Sequence, residues 1–372
     1  MKMFFAIVFL VWLLVNTYIF IRGWQVIPSA FIPRVIYTVL FVCISFSFFV
    51  SMGFRDTMPL TPLKMIYAIS TVWLVCMMYY TLLFLVTDLF GLLNHWLHIL
   101  PDNVTAHYRQ IQVYGSTIIV VFLLFYGYHK FTHPSVEKYD IRIDKGAGEK
   151  KELRVVGISD VHLGLLVDKS RISGYIDKIN AQKPDVIFIA GDVVDNSTRI
   201  LNEEHLEEEL NRLNAPLGIY MCLGNHEYIS GIKNSLDFLK KTKIQLLVDS
   251  AACVDDSFYV IGRDDRTNHD RKPLNKMLGY TDKTKPLFLL DHQPNDLEDA
   301  RMNGIDLQFS GHTHNGQLWP GNLIVKKIFE VGYGYKQKDN LHVYVSSGLT
   351  LWGPLVRIGT QSEMVVFDIK FD

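Results

Sequence analysis

The sequence predicts a two-part chain: an N-terminal α-helical membrane domain of four transmembrane helices, then an α/β domain of two packed β-sheets flanked by helices. Three observations carry this expectation. Charged residues are rare before Lys130 and dense after it. Four long uncharged runs fill the first part. Beyond them, helix-like and strand-like segments alternate and then give way mainly to strands, as in a layered sheet architecture. The expected boundaries are residues 1–129 for the membrane helices, 130–151 for a linker and first strand, and 152–372 for the α/β domain.

The uncharged runs are residues 3–21, 35–54, 65–87 and 110–128, of 19, 20, 23 and 19 residues. A helix needs about 20 apolar residues to span a bilayer. Four such runs in succession leave little polar face for water, so buried helices of a soluble protein are the weaker reading. Trp24, Trp96, Tyr108 and Tyr128 stand near the run ends, where interfacial aromatics belong. The first run is too long for a signal peptide and lacks a nearby small-x-small site, so it is read as a retained helix. Four spans place the N-terminus and everything after Tyr128 on one side. That side carries Lys2, Arg55, Lys64, Lys130, Lys138 and Arg142, against Arg22, Arg34 and Arg109 on the other. The positive-inside bias therefore predicts a cytoplasmic C-terminal domain. Residues 88–109 fit a segment along the membrane surface or an ordinary loop, and His95 and His98 within it read as interfacial histidines.

The net charge of -1 argues against a bulk electrostatic nucleic-acid binder. Cys43 and Cys76 lie inside apolar runs, and Cys222 and Cys253 stand apart with no CxxC, so no disulfide framework is expected.

In the second part, residues 136–144 alternate like a strand, KGAGEKKE makes a flexible turn, and LRVVGIS reads as a buried strand. The helix DKSRISGYIDKINAQK precedes the strand DVIFIAG. The helix EEHLEEELNRLNA precedes LGIYMCLG, and SLDFLKKTK precedes IQLLVD. FYVIGRD, PLFLLDH, IDLQFSG, HVYVSSG and MVVFDIKF follow as strands.

What stands where these strands end is the functional signal. Asp160 and His162 follow the first buried strand, Gly191-Asp192 the next, and Gly224-Asn225-His226-Glu227 the third. Asp291-His292 follows FLL, and Gly311-His312-Thr313-His314 closes the series. Ligands of open α/β sheets gather outside the carboxyl ends of the strands. A lone Asp-x-His or Gly-Asp is ordinarily just a turn. Five strand ends that together offer carboxylate, imidazole and amide groups point to a metal site.

The order DxH, GDxxD, GNHE, H, GHTH resembles the calcineurin-like metallophosphoesterase superfamily, over roughly residues 152–370. DHQP, GHTHNGQ and SSGLTLWGPLVRIG are most similar to its membrane-associated branch, which includes enzymes similar to UDP-2,3-diacylglucosamine diphosphatases. The resemblance implies two divalent ions, with Mn favoured over Fe or Zn. Asp160, His162, Asp192 and His314 would hold one, and Asp192 would bridge to the other, held by Asn225, His292 and His312. A hydroxide bridging the ions would attack phosphorus. By the same resemblance His226 would face the phosphate and either stabilise the transition state or protonate the leaving oxygen, with Asp195 orienting it. Two departures stand out. Asn315 replaces a glycine usual in the branch, at a turn where asparagine tolerates left-handed backbone. Asn196 stands where many relatives carry arginine, which weakens a protein-phosphatase reading.

The function implied is a membrane-anchored hydrolase of a phosphate ester or pyrophosphate, with the bilayer and a phosphorylated or lipid-linked substrate as partners. Leu163, Leu165 and Leu166 would either admit acyl chains or pack the core. A narrower reading is a UDP-2,3-diacylglucosamine diphosphatase of lipid A synthesis. Other classes are a non-catalytic scaffold or sensor, disfavoured by the intact ligand set, and a nuclease or cyclic-nucleotide phosphodiesterase, disfavoured by charge and anchor.

Overall fold

The computed structural model describes residues 2–372. Met1 lies outside the described residues, and so do the side chains of Lys2, Phe4 and Phe5; the sequence count of charges near the first span includes Lys2. Two compact units emerge: residues 1–126 with 353–355, and residues 127–352 with 356–372.

The first unit is built on four long helices, Lys2–Trp24, Phe31–Gly53, Leu60–Leu97 and Tyr108–Thr132, the last of which ends in the second unit. All four are long and apolar enough to cross a membrane. Pro33 and Pro62 fall in the first turns of the second and third helices, where an amide hydrogen has no helical partner to lose. The third helix differs from expectation. It does not stop near Thr87 but runs 38 residues to Leu97, ending where His98 turns left-handed. Its extension is held by polar contacts a loop would not make. Asp88 accepts from the Tyr18 hydroxyl at 2.6 Å and the Gln112 amide at 2.7 Å, and pairs with Arg22. A charge on so apolar a helix is stable only when paired. The outward faces show large apolar side chains, such as Leu14, Ile118 and Phe125 at 61%, 71% and 74% exposure. Water would not favour that surface, and lipid does.

The second unit holds two six-stranded mixed sheets. The first runs in the order β1 (Ser135–Ile143), β12 (Glu363–Phe371), β2 (Glu152–Ile158), β3 (Val186–Ala190), β4 (Ile219–Cys222) and β5 (Gln245–Leu246). The second runs β10 (Gly334–Lys338), β11 (Leu341–Val345), β9 (Leu307–Ser310), β8 (Leu287–Leu290), β7 (Phe258–Gly262) and β6 (Ser250–Val254). Strands β2, β3 and β4 are parallel, as are β7, β8 and β9, so each sheet sends several carboxyl ends the same way.

Their inner faces form one core. Phe188 of β3 meets Phe288 of β8 with ring centroids 5.7 Å apart, and Phe309 of β9 meets Phe367 of β12 at 6.2 Å. Each fully buried ring contributes about 2–3 kcal/mol. Gly157 of β2 permits this approach, because a Cβ there would lie 2.8 Å from Phe309. A second apolar cluster backs the outer face of the second sheet, with Leu274, Leu297 and Ala300 against Leu289 and Val343.

Several sequence expectations are corrected. The segment read as one helix, EEHLEEELNRLNA, is helical only over Leu206–Leu210, and a separate short helix, Thr198–Glu203, ends at its start, with the break at His205, whose φ is 52°. Strands β6 and β10 were not expected, because SAACV and GYKQK are half-exposed edge segments with little apolar signal. The helix Gly321–Ile328 was also not expected. Leu163 takes the core option, fully buried and bridged to Val194, whereas Leu165 and Leu166 are half-buried.

Candidate metal centre

The site forms where β2, β3, β4, β8 and β9 end. Each strand leaves its last buried residue and turns sharply, and the turns are unusual. Asp160, His162, Asp192, His312 and His314 all have positive φ, between 45° and 71°. Such backbone is costly for a side chain with a Cβ, and it persists only where the surroundings enforce it. Here it aims functional side chains from separate strand ends at one point. Asn315 also takes the left-handed form expected of it, at φ 48° and ψ 36°.

Two glycines make room. A Cβ on Gly224 would lie 2.2 Å from Asp192 Oδ1, and one on Gly311 would lie 2.3 Å from Asp160 Oδ2. Both carboxylates are therefore packed against bare backbone.

All seven sequence-predicted metal residues converge. His314 Nε2 lies 3.2 Å from Asp160 Oδ1 and 3.2 Å from His162 Nε2. His162 Nε2 is 3.8 Å from both Asp160 Oδ1 and Asp192 Oδ2. Asp192 Oδ2 is 3.2 Å from His292 Nε2. Asn225 Oδ1 faces His292 Nε2 at 3.1 Å and His312 Nδ1 at 2.9 Å. Three groups (Asp160, His162, His314; Asp160, Asp192, His292; His162, Asp195, His226) each bring one ligand atom within 4.8 Å of one another.

The chemistry of these donors fits a cation. His292 Nδ1 lies 2.7 Å from the Ala190 carbonyl, which can only accept, so Nδ1 carries a proton and Nε2 is the atom turned into the site. Nε2 faces a carboxylate oxygen and an amide oxygen, and against burial the charge of Asp192 raises the His292 pKa well above the ordinary value, so positive charge is favoured at that point. The buried Nδ1 atoms of His162 and His314 have no hydrogen-bond partner. Converging lone pairs in a dry site are repulsive unless a positive charge sits among them. Burial would raise Asp160, but the His314 ring and the His162 and His314 hydrogen bonds hold it well below the usual carboxylate range. Asp192 is likewise held low against burial, chiefly by His292. His312 is pushed down to about 4 by burial and by His292. These are carboxylates kept ionised and an imidazole kept neutral, the forms that bind metals.

His226 and Asp195 form a second arrangement at the same mouth. His226 Nδ1 is 2.9 Å from Asp195 Oδ1, and its backbone N–H donates to Asp192 Oδ1 at 2.8 Å. Burial works against protonation of His226, yet the Asp195 hydrogen bond and the charge of Asp192 raise its pKa above the ordinary value.

Three supports were not read from the sequence. Glu227 is fully buried, and its carboxylate accepts from the backbone N–H groups of Asp192, Val193, Val194 and Gly224 at 3.0, 2.7, 3.0 and 2.8 Å. It ties the β3 turn to the β4 turn. Burial and the neighbouring Asp192 lift it to about 7 against those donors. Arg357, also fully buried, donates to Gly348 O at 3.1 Å and to the carbonyl of Thr350, while burial pushes it down to about 10. It braces a turn whose Thr350 N–H reaches Asp160 O at 3.1 Å. Asp291, beside His292, accepts from Arg263 at 3.2 Å and Arg271 at 3.4 Å. Burial raises it against both guanidiniums. Glu227 and Arg357 sit inside quoted motifs, GNHE and the closing LVRIG, and position there was the only available signal.

The calcineurin-like phosphoesterase family matches residues 153–316, the stretch that contains every one of these strand-end groups. An uncharacterized metallophosphoesterase of Campylobacter jejuni is 32% identical over 270 residues, covering 70% of this chain and 70% of that protein. A transmembrane protein with metallophosphoesterase domain from Danio rerio is 28% identical, covering 79% of this chain and 72% of that protein. The UDP-2,3-diacylglucosamine pyrophosphatase LpxG of Chlamydia trachomatis is 24% identical, covering 54% of this chain and 78% of that protein. With strand-end groups that could hold divalent metals and these relatives, the chain belongs to the calcineurin-like metallophosphoesterases and is a metal-dependent phosphoester hydrolase.

Proposed function

We propose that this chain is a multi-pass membrane phosphohydrolase that cleaves a phosphate ester or pyrophosphate of a lipid-linked substrate. The observation that carries the hydrolytic part is the convergence of histidine nitrogens, carboxylates and the Asn225 amide on one point. On this reading Asp160, His162, Asp192 and His314 hold one divalent ion, and Asp192, Asn225, His292 and His312 hold a second. Mn is favoured among the ions suited to mixed N/O donors. Bound there, the ions would activate water at neutral pH and offset charge on the phosphoryl oxygens.

The chain's own residues do the rest. Asp195 takes the hydrogen bond from His226 Nδ1, which fixes the ring and leaves Nε2 as the atom that meets substrate. The raised pKa of His226 keeps a proton available for the leaving oxygen. Asp192 adds a second hold, through the His226 backbone N–H. Glu227 and Arg357 touch no substrate on this reading and act by fixing the turns that carry Asp192 and Asp160.

The lipid-linked substrate is supported by the membrane-spanning length of the four helices and by the named activity of the Chlamydia trachomatis relative. Domains at 1–129 and 152–372 would then be anchor and catalyst, joined by 130–151. A UDP-2,3-diacylglucosamine diphosphatase of lipid A synthesis is the narrower form of the reading, and that relative favours it.

The test uses full-length protein purified in detergent without chelator. Release of phosphate or nucleotide is followed from phospholipids, lipid pyrophosphates and UDP-2,3-diacylglucosamine, with Mn²⁺ added. The expected result is metal-dependent release from one lipid, lowered about 10²–10⁴-fold in His226→Ala. If a small chromogenic ester is cleaved but no lipid is, the lipid assignment is wrong. If nothing is hydrolysed although metal is bound, the scaffold reading replaces it.

The cytoplasmic side of the catalytic domain rests on the distribution of Lys and Arg near the spans. Cys253 is exposed in the second unit and reports on it. A membrane-impermeant maleimide is expected to label Cys253 only after cells are opened; labelling in intact cells would reverse the orientation.

A further inference from the structure

The rim of the site carries an apolar and basic surface that the hydrolytic chemistry does not use. The helix Gly321–Ile328 follows the GHTHNGQ turn and has no buried residue. A helix on a water-facing domain ordinarily buries its apolar stripe. Here Leu323, Ile324 and Ile328 are 52%, 59% and 67% exposed. Ile324 and Ile328 are one turn apart and share a face. Trp319 and Trp352, each about half exposed, extend the apolar surface.

This surface is joined to both sides of the site. The Trp352 ring is 6.4 Å from His226, and the Phe329 ring, just past the helix, is 6.5 Å from His312. The Gln317 amide donates to Trp352 O at 3.2 Å, and Thr313 Oγ1 donates to Gly332 O at 2.6 Å. The helix is therefore fixed to the turn that carries His312 and His314.

Lys326 and Lys327 stand exposed in its last turn and have no ion-pair partner among the described residues. The nearby Lys336 and Lys338 both pair with Glu330. Aliphatic side chains and unpaired lysines on one short helix, with indoles beside it, are the composition of an interfacial membrane-binding element. The lysine stems can lie along the apolar surface while their charges reach lipid phosphates.

We propose that the helix Gly321–Ile328, with Trp319 and Trp352, docks the rim of the catalytic site onto an anionic bilayer surface. Charge complementarity selects the occupant: two unpaired cations beside apolar side chains match acidic headgroups above acyl chains. Four helices long enough to span a membrane, in the same chain, keep a bilayer always at hand. A site held this way meets phosphorus at headgroup depth, and in that consequence the proposal rests on the lipid-substrate reading.

The test uses the full chain with Cys43, Cys76 and Cys253 replaced by serine and buried Cys222 retained. One environment-sensitive fluorophore is placed at Ile324→Cys. A control is placed at Tyr280→Cys, which is 96% exposed and outside this surface. Each is reconstituted in nanodiscs of phosphatidylcholine with phosphatidylglycerol and a lipid-attached quencher. The Ile324 probe is expected to shift blue and be quenched, and the Tyr280 probe is not. Each lysine contributes about fivefold in membrane affinity, so Lys326→Glu with Lys327→Glu should abolish the quenching. An Ile324 probe as unquenched as the Tyr280 probe overturns the proposal, as does quenching that survives both charge reversals. Quenching with no lipid cleaved in the substrate panel would leave docking standing and remove the lipid substrate alone.

Discussion

Asp192→Asn is expected to lower phosphoester hydrolysis by about 10²-fold or more while the chain stays folded. Asp192 stands between the two proposed groups of ligands. Its Oδ2 faces His292 at 3.2 Å and His162 at 3.8 Å, and its Oδ1 takes the His226 backbone N–H. An asparagine has the same volume, so the packing against Gly224 survives. It has no charge and only one acceptor oxygen, so it either holds His226 or meets the two histidines, but not both. The amide NH₂ then points a donor where a cation is expected. Thermal melting should fall somewhat, because His292 holds this carboxylate ionised against burial and the substitution removes that pairing, so a folded far-UV spectrum is checked beside the rate. Retention of wild-type turnover in Asp192→Asn would show that the reaction does not depend on this carboxylate.

Glu227 carries the largest expected effect on stability. Glu227→Ala would leave four buried N–H groups without an acceptor, each costing about 1–3 kcal/mol. Even the low end of that range, about 4 kcal/mol in sum, is a large part of the roughly 5–15 kcal/mol of a folded domain. Poor recovery of folded protein is the expected outcome. Glu227→Gln separates this from bulk loss. Each carboxylate oxygen serves two N–H donors, so an amide nitrogen in either position faces two donors with a third and fourth. The expected cost is about 2 kcal/mol. Movement of the Asp192 turn should also lower hydrolysis by about 10–100-fold, as for groups that orient metal ligands. A Glu227→Gln protein with unchanged melting and unchanged rate would refute the bracing role.

These two residues differ in how far the sequence reveals them. Asp192 follows a continuous apolar strand and a glycine, and strand ends in such sheets are where ligands gather. The same rule exposed Asp160, Asn225, His292 and His312, and the order of the blocks supplied the rest. Glu227 shares a motif with Asn225 and His226, but its work is done on backbone of a different turn. That pairing is a tertiary fact, 33 to 35 residues away in sequence for three of its four bonds. Arg357 is harder still, since a buried guanidinium satisfied by carbonyls and hydroxyls leaves no hydrogen-bonded carboxylate to look for.

The fold divides in the same way. Strands with unbroken apolar runs, such as DVIFIAG and PLFLLDH, are legible because both faces are buried. Edge strands β6 and β10 are not, because half of their residues meet water. The third long helix outran its apolar stretch because Asp88, a charge that suggests an end, is satisfied by Tyr18, Arg22 and Gln112 from other helices. The helix Gly321–Ile328 was missed because Leu323, Ile324 and Ile328 do not form a buried stripe, and that same exposure is what marks it as a membrane-facing element.

The most direct test counts ions. Full-length protein is stripped with a chelator and titrated with Mn²⁺. Bound metal per chain is measured by elemental analysis while hydrolysis of a small chromogenic ester is followed in parallel. The account predicts two ions per chain, with hydrolysis appearing as the pair fills, and fewer ions in Asp192→Asn. Hydrolysis that persists at full rate in the stripped protein, or a stripped protein that binds no ion, would contradict it.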